Sequence, residues 1–114
     1  MPRSPLESML AAAAELEQLG HQRLRWARNG DWEALLQSED RRGELARKID
    51  ARQVPPDSAD ANSLARRLER IRELDRELEP LWAKRQEQLG QDLQQIRRGT
   101  SGTRAYQQVD RGRG

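Results

Sequence analysis

The sequence predicts an all-α protein, an antiparallel three-helix bundle with a long third helix and a short C-terminal helix or flexible tail. Hydrophobic residues make up only 34% of the 114 residues and the mean hydropathy is −1.09, so a thick globular core is not expected. Ala, Leu, Glu, Gln and Arg, which are good helix formers, dominate the composition. Apolar residues recur three and four positions apart, a pattern that lets each helix of a thin bundle bury one stripe.

The first two predicted helices are separated by a Gly-Asp pair. Helix 1 covers residues 5–28 and helix 2 covers residues 32–52. Gly30 can adopt the left-handed conformation that ends a helix, and Asp31 can accept hydrogen bonds from the free amides that open the next one. The residues of helix 2 predicted to face inward are Leu35, Leu36, Leu45, Ala46 and Ile49.

The third predicted helix follows the loop VPPDSADAN at residues 54–62, where two adjacent prolines cannot continue a helix. Asp60 or Asn62 is expected to cap it, and it should end near Arg98 before GTSG. Its spacing alternates between four and three residues, which is a heptad seam and indicates shallow-angle packing against other helices. The spacing keeps its phase across Pro80, so we expect a kink there and not the end of the helix. The seam consists of Leu64, Leu68, Ile71, Asp75, Leu78, Trp82, Arg85, Leu89, Asp92 and Ile96.

Antiparallel pairing of helices 2 and 3 predicts an internal ion pair. When the two helices are aligned antiparallel on either side of the Pro-Pro turn, the numbers of any two residues that face each other add up to roughly 113 to 117, because both helices advance about 1.5 Å per residue. This register places Arg42 near Asp75, beside the seam. We expect an Arg42–Asp75 pair to specify register more than it adds stability.

The two paired helices differ in length, which predicts an uncovered apolar surface. Helix 2 is roughly 30 Å long and helix 3 roughly 55 Å, so the first 52 residues should not cover helix 3 beyond about Arg85. The uncovered apolar positions are Leu89, Leu93 and Ile96. An exposed stripe of this kind usually marks an interface, either with a second copy, with a foreign helix, or with the chain's own tail through Tyr106 and Val109.

Charge is distributed unevenly along the chain. Residues 1–96 hold 16 Lys and Arg against 18 Asp and Glu, a net charge of −2, whereas residues 97–114 hold five Arg against one Asp, a net charge of +4. We therefore divide the chain into a helical bundle domain, residues 1–98, and a basic C-terminal regulatory tail, residues 99–114. The tail is either a solvated, mobile end or a contact for nucleic acid in a helical coiled-coil adaptor.

The sequence lacks the patterns of an enzyme or of a cofactor site. There is no cysteine, and the single histidine, His21, lies in mid-helix among polar residues. No phosphate-binding loop, nucleophile elbow or metal-ligand cluster is present in the sequence. The apolar run MLAAAA at residues 9–14 is too short for a signal peptide or a membrane span, so we expect a cytoplasmic protein without cofactors.

One stretch is similar to an enzyme family. LARRLERIRELDRELEPLWAKR, residues 64–85, resembles the first helix of the all-helical chorismate mutases, in which an arginine at the position of Arg85 helps to bind substrate carboxylates. That family needs a lysine and an Asp-x-x-Arg-Glu pattern in later helices. The 29 residues after Arg85 contain neither, so shared heptad composition explains the likeness.

A second resemblance covers most of the chain. GDWEALLQSEDRRGELARKI (30–49), a proline-bearing loop, LERIRELDRELEPLWAKRQEQLGQDLQQIRRG (68–99) and AYQQ (105–108) follow one another in the order found in the FliT-type flagellar export chaperones. The resemblance implies a cytoplasmic helical chaperone that binds the C-terminal segment of the filament-cap protein, prevents its premature assembly and delivers it to the type III export apparatus. It also implies the export ATPase and, in some bacteria, the master transcriptional activator of flagellar genes as partners.

The resemblance also suggests where partners bind. A short C-terminal cover limits partner access in this family, and here it would include Tyr106 and Val109. An amphipathic client segment would lie along the apolar stripe of helices 2 and 3. The candidate client contacts are Leu74, Leu78, Leu81, Leu89, Leu93 and Ile96. The first three of these fit a role in the bundle core equally well.

Overall fold

The computed structural model describes the backbone of residues 4–110 and the side chains of residues 4–99. Within the described backbone every regular element is helical, and the prediction of an all-α protein is confirmed. The elements are α1 (Pro5–Asn29), α2 (Trp32–Gln37), α3 (Glu39–Arg47), a short 3-10 helix (Ala51–Gln53) and α4 (Ala59–Asp110). The chain forms two compact units, and the boundary lies between Leu81 and Trp82. The division predicted between residues 1–98 and 99–114 stays a prediction.

The bounds of α1 follow from local capping. The Ser4 hydroxyl accepts a hydrogen bond from the Glu7 amide at 3.1 Å, and a proline occupies the first turn. At the other end Gly30 has φ 75°, and the Asp31 carboxylate accepts from the Ala34 amide at 3.3 Å. The Gly-Asp boundary between the first two helices is therefore confirmed, because glycine tolerates positive φ and aspartate caps the free amides.

The second predicted helix is not continuous, and this prediction was wrong. It forms α2 and α3, which are separated at Ser38, and then a 3-10 turn. The Ser38 hydroxyl donates to the Leu35 carbonyl at 2.5 Å, and the Ser38 amide bonds the same oxygen at 3.2 Å. In a continuous helix that carbonyl would accept from residue 39. The two predicted inward positions Leu36 and Ala46 are exposed, whereas the neighbouring Leu35 and Leu45 are buried.

The long helix α4 begins and ends at residues other than those predicted. Ser58 caps it, since its hydroxyl accepts from the Ala61 amide at 3.0 Å, and neither Asp60 nor Asn62 has that role. The helix continues through Pro80 and does not stop near Arg98 but extends to Asp110. Glycine lowers helix propensity by only about 1 kcal/mol, and GTSG contains no proline to remove a backbone donor.

The core of the first unit includes two neighbouring groups of buried side chains. One group is Met9, Ala13, Val54 and Leu64, and the other is Ala12, Leu16, Leu45 and Ile71. The half-buried Ile49 packs against both groups. Alanines of α1 let the neighbouring helices approach closely, which is how a sequence with few large apolar residues still buries a core.

Candidate functional site

The second unit carries an exposed apolar stripe. Leu89, Leu93 and Ile96 are 37%, 52% and 62% exposed. Positions i, i+4 and i+7 lie on one face of a helix, so the three side chains form a continuous ridge along α4. Burying such a ridge against an apolar partner would contribute about 25 cal/mol per Å² before ordering costs are subtracted.

The residues flanking this stripe are polar but mostly uncharged. Residues 86–96 contain five glutamines, while Glu87 and Asp92 are the only charged residues among them. A partner that covers the stripe would therefore displace few ionic contacts, and salt should have little effect on its affinity.

The three candidate contacts earlier in α4 lie in the first unit and differ in burial. Leu74 is 2% exposed and belongs to the core, where its Cδ1 atom lies 3.0 Å from the position a Cβ atom would take at Gly20. Leu78 and Leu81 are half-buried. Leu74 is thus covered by α1, while the other two present part of their surface. The side chains of Tyr106 and Val109 lie outside the described residues.

Arg42 and Asp75 join α3 to α4. Arg42 Nη2 lies 3.1 Å from Asp75 Oδ2, and each side chain is 38% exposed. The guanidinium donates to the carboxylate, so the pair is a charge-assisted hydrogen bond at the edge of the core. Its exposure means that solvent weakens the attraction.

Sequence reasoning missed a buried polar cluster next to this pair. Arg23 of α1 is 5% exposed, its Nε atom donates to the Ser38 hydroxyl at 3.1 Å, and its Nη2 atom pairs with the Glu39 carboxylate. The signal that could have found it was Arg23 itself, an arginine at an inward position of an apolar helix face. Buried arginines require partners.

Burial and charge act in opposite directions on this arginine. Removal from water lowers the pKa of the Arg23 guanidinium, and the attraction of Glu39 raises it again. Arg42 lowers the pKa further and Asp75 raises it. Arginine stays protonated under all ordinary conditions, so Arg23 is a permanent charge that the carboxylates hold in place.

A cleft of about 530 Å³ lies between α1 and α3 on the first unit. Met9, Ala12 and Leu45 form its floor. Arg41 crosses its rim, where it pairs with Glu15 and with Glu44. Hydrogen bonds to these two carboxylates raise the pKa of Arg41. Lys48 also lines this cleft.

The described residues contain no group of three metal-ligating side chains, and His21 is exposed on α1. The features that remain are an apolar stripe and ion-paired helix surfaces, which suit binding to a protein partner.

The comparison with protein families identifies the chain. The family model for the flagellar protein FliT matches residues 9–108. The chain belongs to the FliT family. The match includes α2, α3, the proline loop and α4 up to residue 108, so both units of the chain contribute to it. No curated protein sequence and no solved structure matches the chain.

FliT proteins are flagellar export chaperones, and family membership makes this chain a flagellar chaperone that binds a flagellar partner. FliT is a chaperone family. In the part of the chain that the structure describes, no helix is long and apolar enough to cross a membrane.

Proposed function

We propose that this FliT protein is a cytoplasmic chaperone, built as an antiparallel three-helix bundle, for the C-terminal segment of the filament-cap protein. It holds that segment until export, prevents its premature assembly and delivers it to the export apparatus. Binding involves no chemical step, because its purpose is to cover an apolar, aggregation-prone surface. The observation that carries the proposal is the exposed stripe on α4, since a small monomer rarely exposes adjacent large apolar side chains without a partner.

The client contacts are assigned to residues of α4 with accessible surface. Leu89, Leu93 and Ile96 supply the main apolar ridge, and Leu78 and Leu81 supply further half-exposed surface. Leu74 is left out because it is buried. An amphipathic client helix lies with its apolar face along this ridge, as in other helix-in-groove complexes.

Further partners and regulation also belong to the proposal. The export ATPase and the flagellar master transcriptional activator are proposed as partners, and the segment with Tyr106 and Val109 is proposed to limit their access. A second copy of the chain is a competing occupant of the stripe. Any partner that covers the same three side chains must displace the client, so competition for the stripe is enough to release it.

Calorimetric titration tests this proposal. The C-terminal segment of the filament-cap protein is titrated into the full chain and into a version ending at Arg98, at low and at high salt. The proposal predicts tight binding that tolerates salt and strengthens when the tail is removed. Binding to neither version would overturn the chaperone assignment for this client.

The salt series also separates the chaperone from an arginine-tail adaptor. Phosphate contacts by arginine release counterions, so binding to nucleic acid falls steeply with salt. Apolar burial has little such dependence. A nucleic-acid affinity that disappears on replacing Arg97, Arg98, Arg104, Arg111 and Arg113 with glutamine, together with no client binding, would favour the adaptor.

A further inference from the structure

The break between α2 and α3 occurs where local sequence favours a continuous helix. Residues 32–47, WEALLQSEDRRGELAR, contain no proline, and their one glycine lies well inside α3. Most of these residues are good helix formers. Ser38 adopts φ −80° and ψ −10°, close to the helical region, so the backbone itself needs only a small change to become continuous. Something outside the segment must therefore select the broken form.

Arg23 provides that external contact. A serine hydroxyl has one proton to donate and lone pairs to accept. Arg23 Nε donates to the Ser38 oxygen at 3.1 Å, so the hydroxyl proton points elsewhere, and it is donated to the Leu35 carbonyl at 2.5 Å. That carbonyl is the acceptor which the amide of Glu39 would need in a continuous helix. The arginine thereby fixes the serine in the orientation that breaks the helix.

Arg23 and Ser38 are shielded from water, whereas the Glu39 side chain is about half exposed. Arg23 and Ser38 are 5% and 8% exposed, and the Glu39 carboxylate neutralises the guanidinium from the side of α3. In such surroundings an unpaired donor is costly, so Arg23 strongly favours the arrangement in which both of its partners are in place. Leu35, three residues before Ser38, is 2% exposed in this arrangement.

We propose that Arg23 is a latch that holds the α2–α3 junction in its broken form, and that residues 32–47 have a second arrangement as one continuous helix. The two arrangements differ in the donor that bonds to the Leu35 carbonyl, the Ser38 hydroxyl in one and the Glu39 amide in the other, and in the direction of α2. Release of the latch therefore changes the surroundings of Leu35 and of the exposed Leu36 together. This proposal does not depend on the identity of the chaperone's client.

Amide hydrogen exchange measured by NMR on the full chain tests the latch. The variants are Arg23→Met, which keeps the length of the side chain but removes its donors, and Arg23→Lys, which keeps the charge near Glu39 but lacks the Nε donor. Each is expected to slow exchange of the Glu39 amide by about tenfold, because that amide gains a helical hydrogen bond. The lysine variant leaves a cation beside Glu39 and serves if the methionine variant does not fold.

Arg41→Met is the matched control, because Arg41 also links α1 to α3 through Glu15 but is exposed, and its ion-pair partners are Glu15 and Glu44 and not residues of the junction. It should leave exchange at Glu39 unchanged. Ser38→Ala should slow that exchange as the arginine variants do. Slowing by Ser38→Ala without any slowing by Arg23→Lys would show that serine alone breaks the helix and would overturn the proposal. Unchanged or faster exchange in all junction variants would overturn it as well.

Discussion

Arg42 Nη2 lies 3.1 Å from Asp75 Oδ2, and this contact joins the middle of α3 to α4. The antiparallel register predicted from the sequence had placed these two residues near each other. Each side chain is more than a third exposed, so water screens the pair and its free-energy contribution is small. We infer that it favours one alignment of the two helices over others, since displaced alignments would leave a charge at the edge of the core.

A double-mutant cycle with Arg42→Gln and Asp75→Asn measures the stability of this pair. The expected coupling in the free energy of unfolding is about 0.5 kcal/mol, the usual value for an exposed pair. Urea denaturation of the four proteins supplies the measurement. The Arg70–Glu73 pair within α4, at 2.9 Å, is the matched control because it cannot affect register between helices. Coupling above about 2 kcal/mol would contradict the view that the pair adds little stability.

Asp75→Leu tests the register role itself. Leucine extends the apolar seam and removes the carboxylate that pairs with Arg42 of α3. We therefore expect alternative alignments of α3 and α4 to become populated. Cysteine crosslinking at the 49–64 pair reports the alignment, because Ile49 packs on the cluster that contains Leu64. Undiminished crosslinking in Asp75→Leu would argue against a role in register.

Gly20 should respond differently to alanine from other helical glycines. A Cβ atom at Gly20 would lie 3.0 Å from Leu74 Cδ1, a buried side chain, whereas at Gly43 it would meet the flexible guanidinium of Arg47 at 3.2 Å. Gly43→Ala is expected to raise the free energy of unfolding by roughly 0.5–1 kcal/mol through helix propensity. Gly20→Ala should gain less than this or lose stability, because Leu74 must move. Equal gains in thermal or urea unfolding would refute the close packing of α1 on α4.

Leu45 and Leu36 form a matched pair for testing the core. Leu45 is 1% exposed in the centre of one buried group, whereas Leu36 is 54% exposed. Leu45→Ala should lower the free energy of unfolding by about 2–5 kcal/mol, since it removes transfer energy and leaves a cavity. Leu36→Ala should change it by less than about 0.5 kcal/mol. Similar effects of both substitutions in urea denaturation would mean that the orientation of α2 is wrong.

Asp50 is expected to titrate below its usual range. Hydrogen bonds from the Arg52 side chain and backbone lower the pKa of the Asp50 carboxyl. A lowered folded-state pKa means that Asp50 contributes stability above its unfolded pKa of about 3.9, and that this contribution is lost as pH falls through the folded pKa. NMR titration of the Asp50 side chain measures the shift directly. Arg52→Gln should raise the pKa part of the way back to its ordinary value, because the backbone amide of residue 52 still donates to the carboxylate. An unshifted pKa in the parent chain would contradict the contact.

Local signals in the sequence were sufficient for some elements. Gly30 and Asp31 specify the boundary after α1 through backbone conformation and capping, both of which act within a few residues. The difference in length between the two paired helices likewise predicted that Leu89, Leu93 and Ile96 are exposed, because the first 52 residues were not expected to cover the long helix beyond about Arg85.

Other features depended on contacts that no local pattern contains. The break at Ser38 is stabilised by Arg23, fifteen residues earlier, so helix propensity alone predicted a continuous helix. The cap of α4 was misassigned because Ser58, Asp60 and Asn62 are all capable cap residues, and only the backbone geometry selects Ser58. Leu74 could not be separated from the exposed positions because its burial comes from a close approach to Gly20.

The most direct test of the chaperone account is client binding by a variant with a polar stripe. Leu93→Ser combined with Ile96→Ser removes most of the exposed apolar surface of the ridge without touching a buried residue, and Leu36→Ser is the control, with similar exposure on α2. In calorimetric titration with the C-terminal segment of the filament-cap protein, the account predicts a loss of affinity of about tenfold or more for the stripe variant. It predicts little change for Leu36→Ser. Unchanged affinity in the stripe variant, with helix content preserved, would contradict the assignment of this surface to the client.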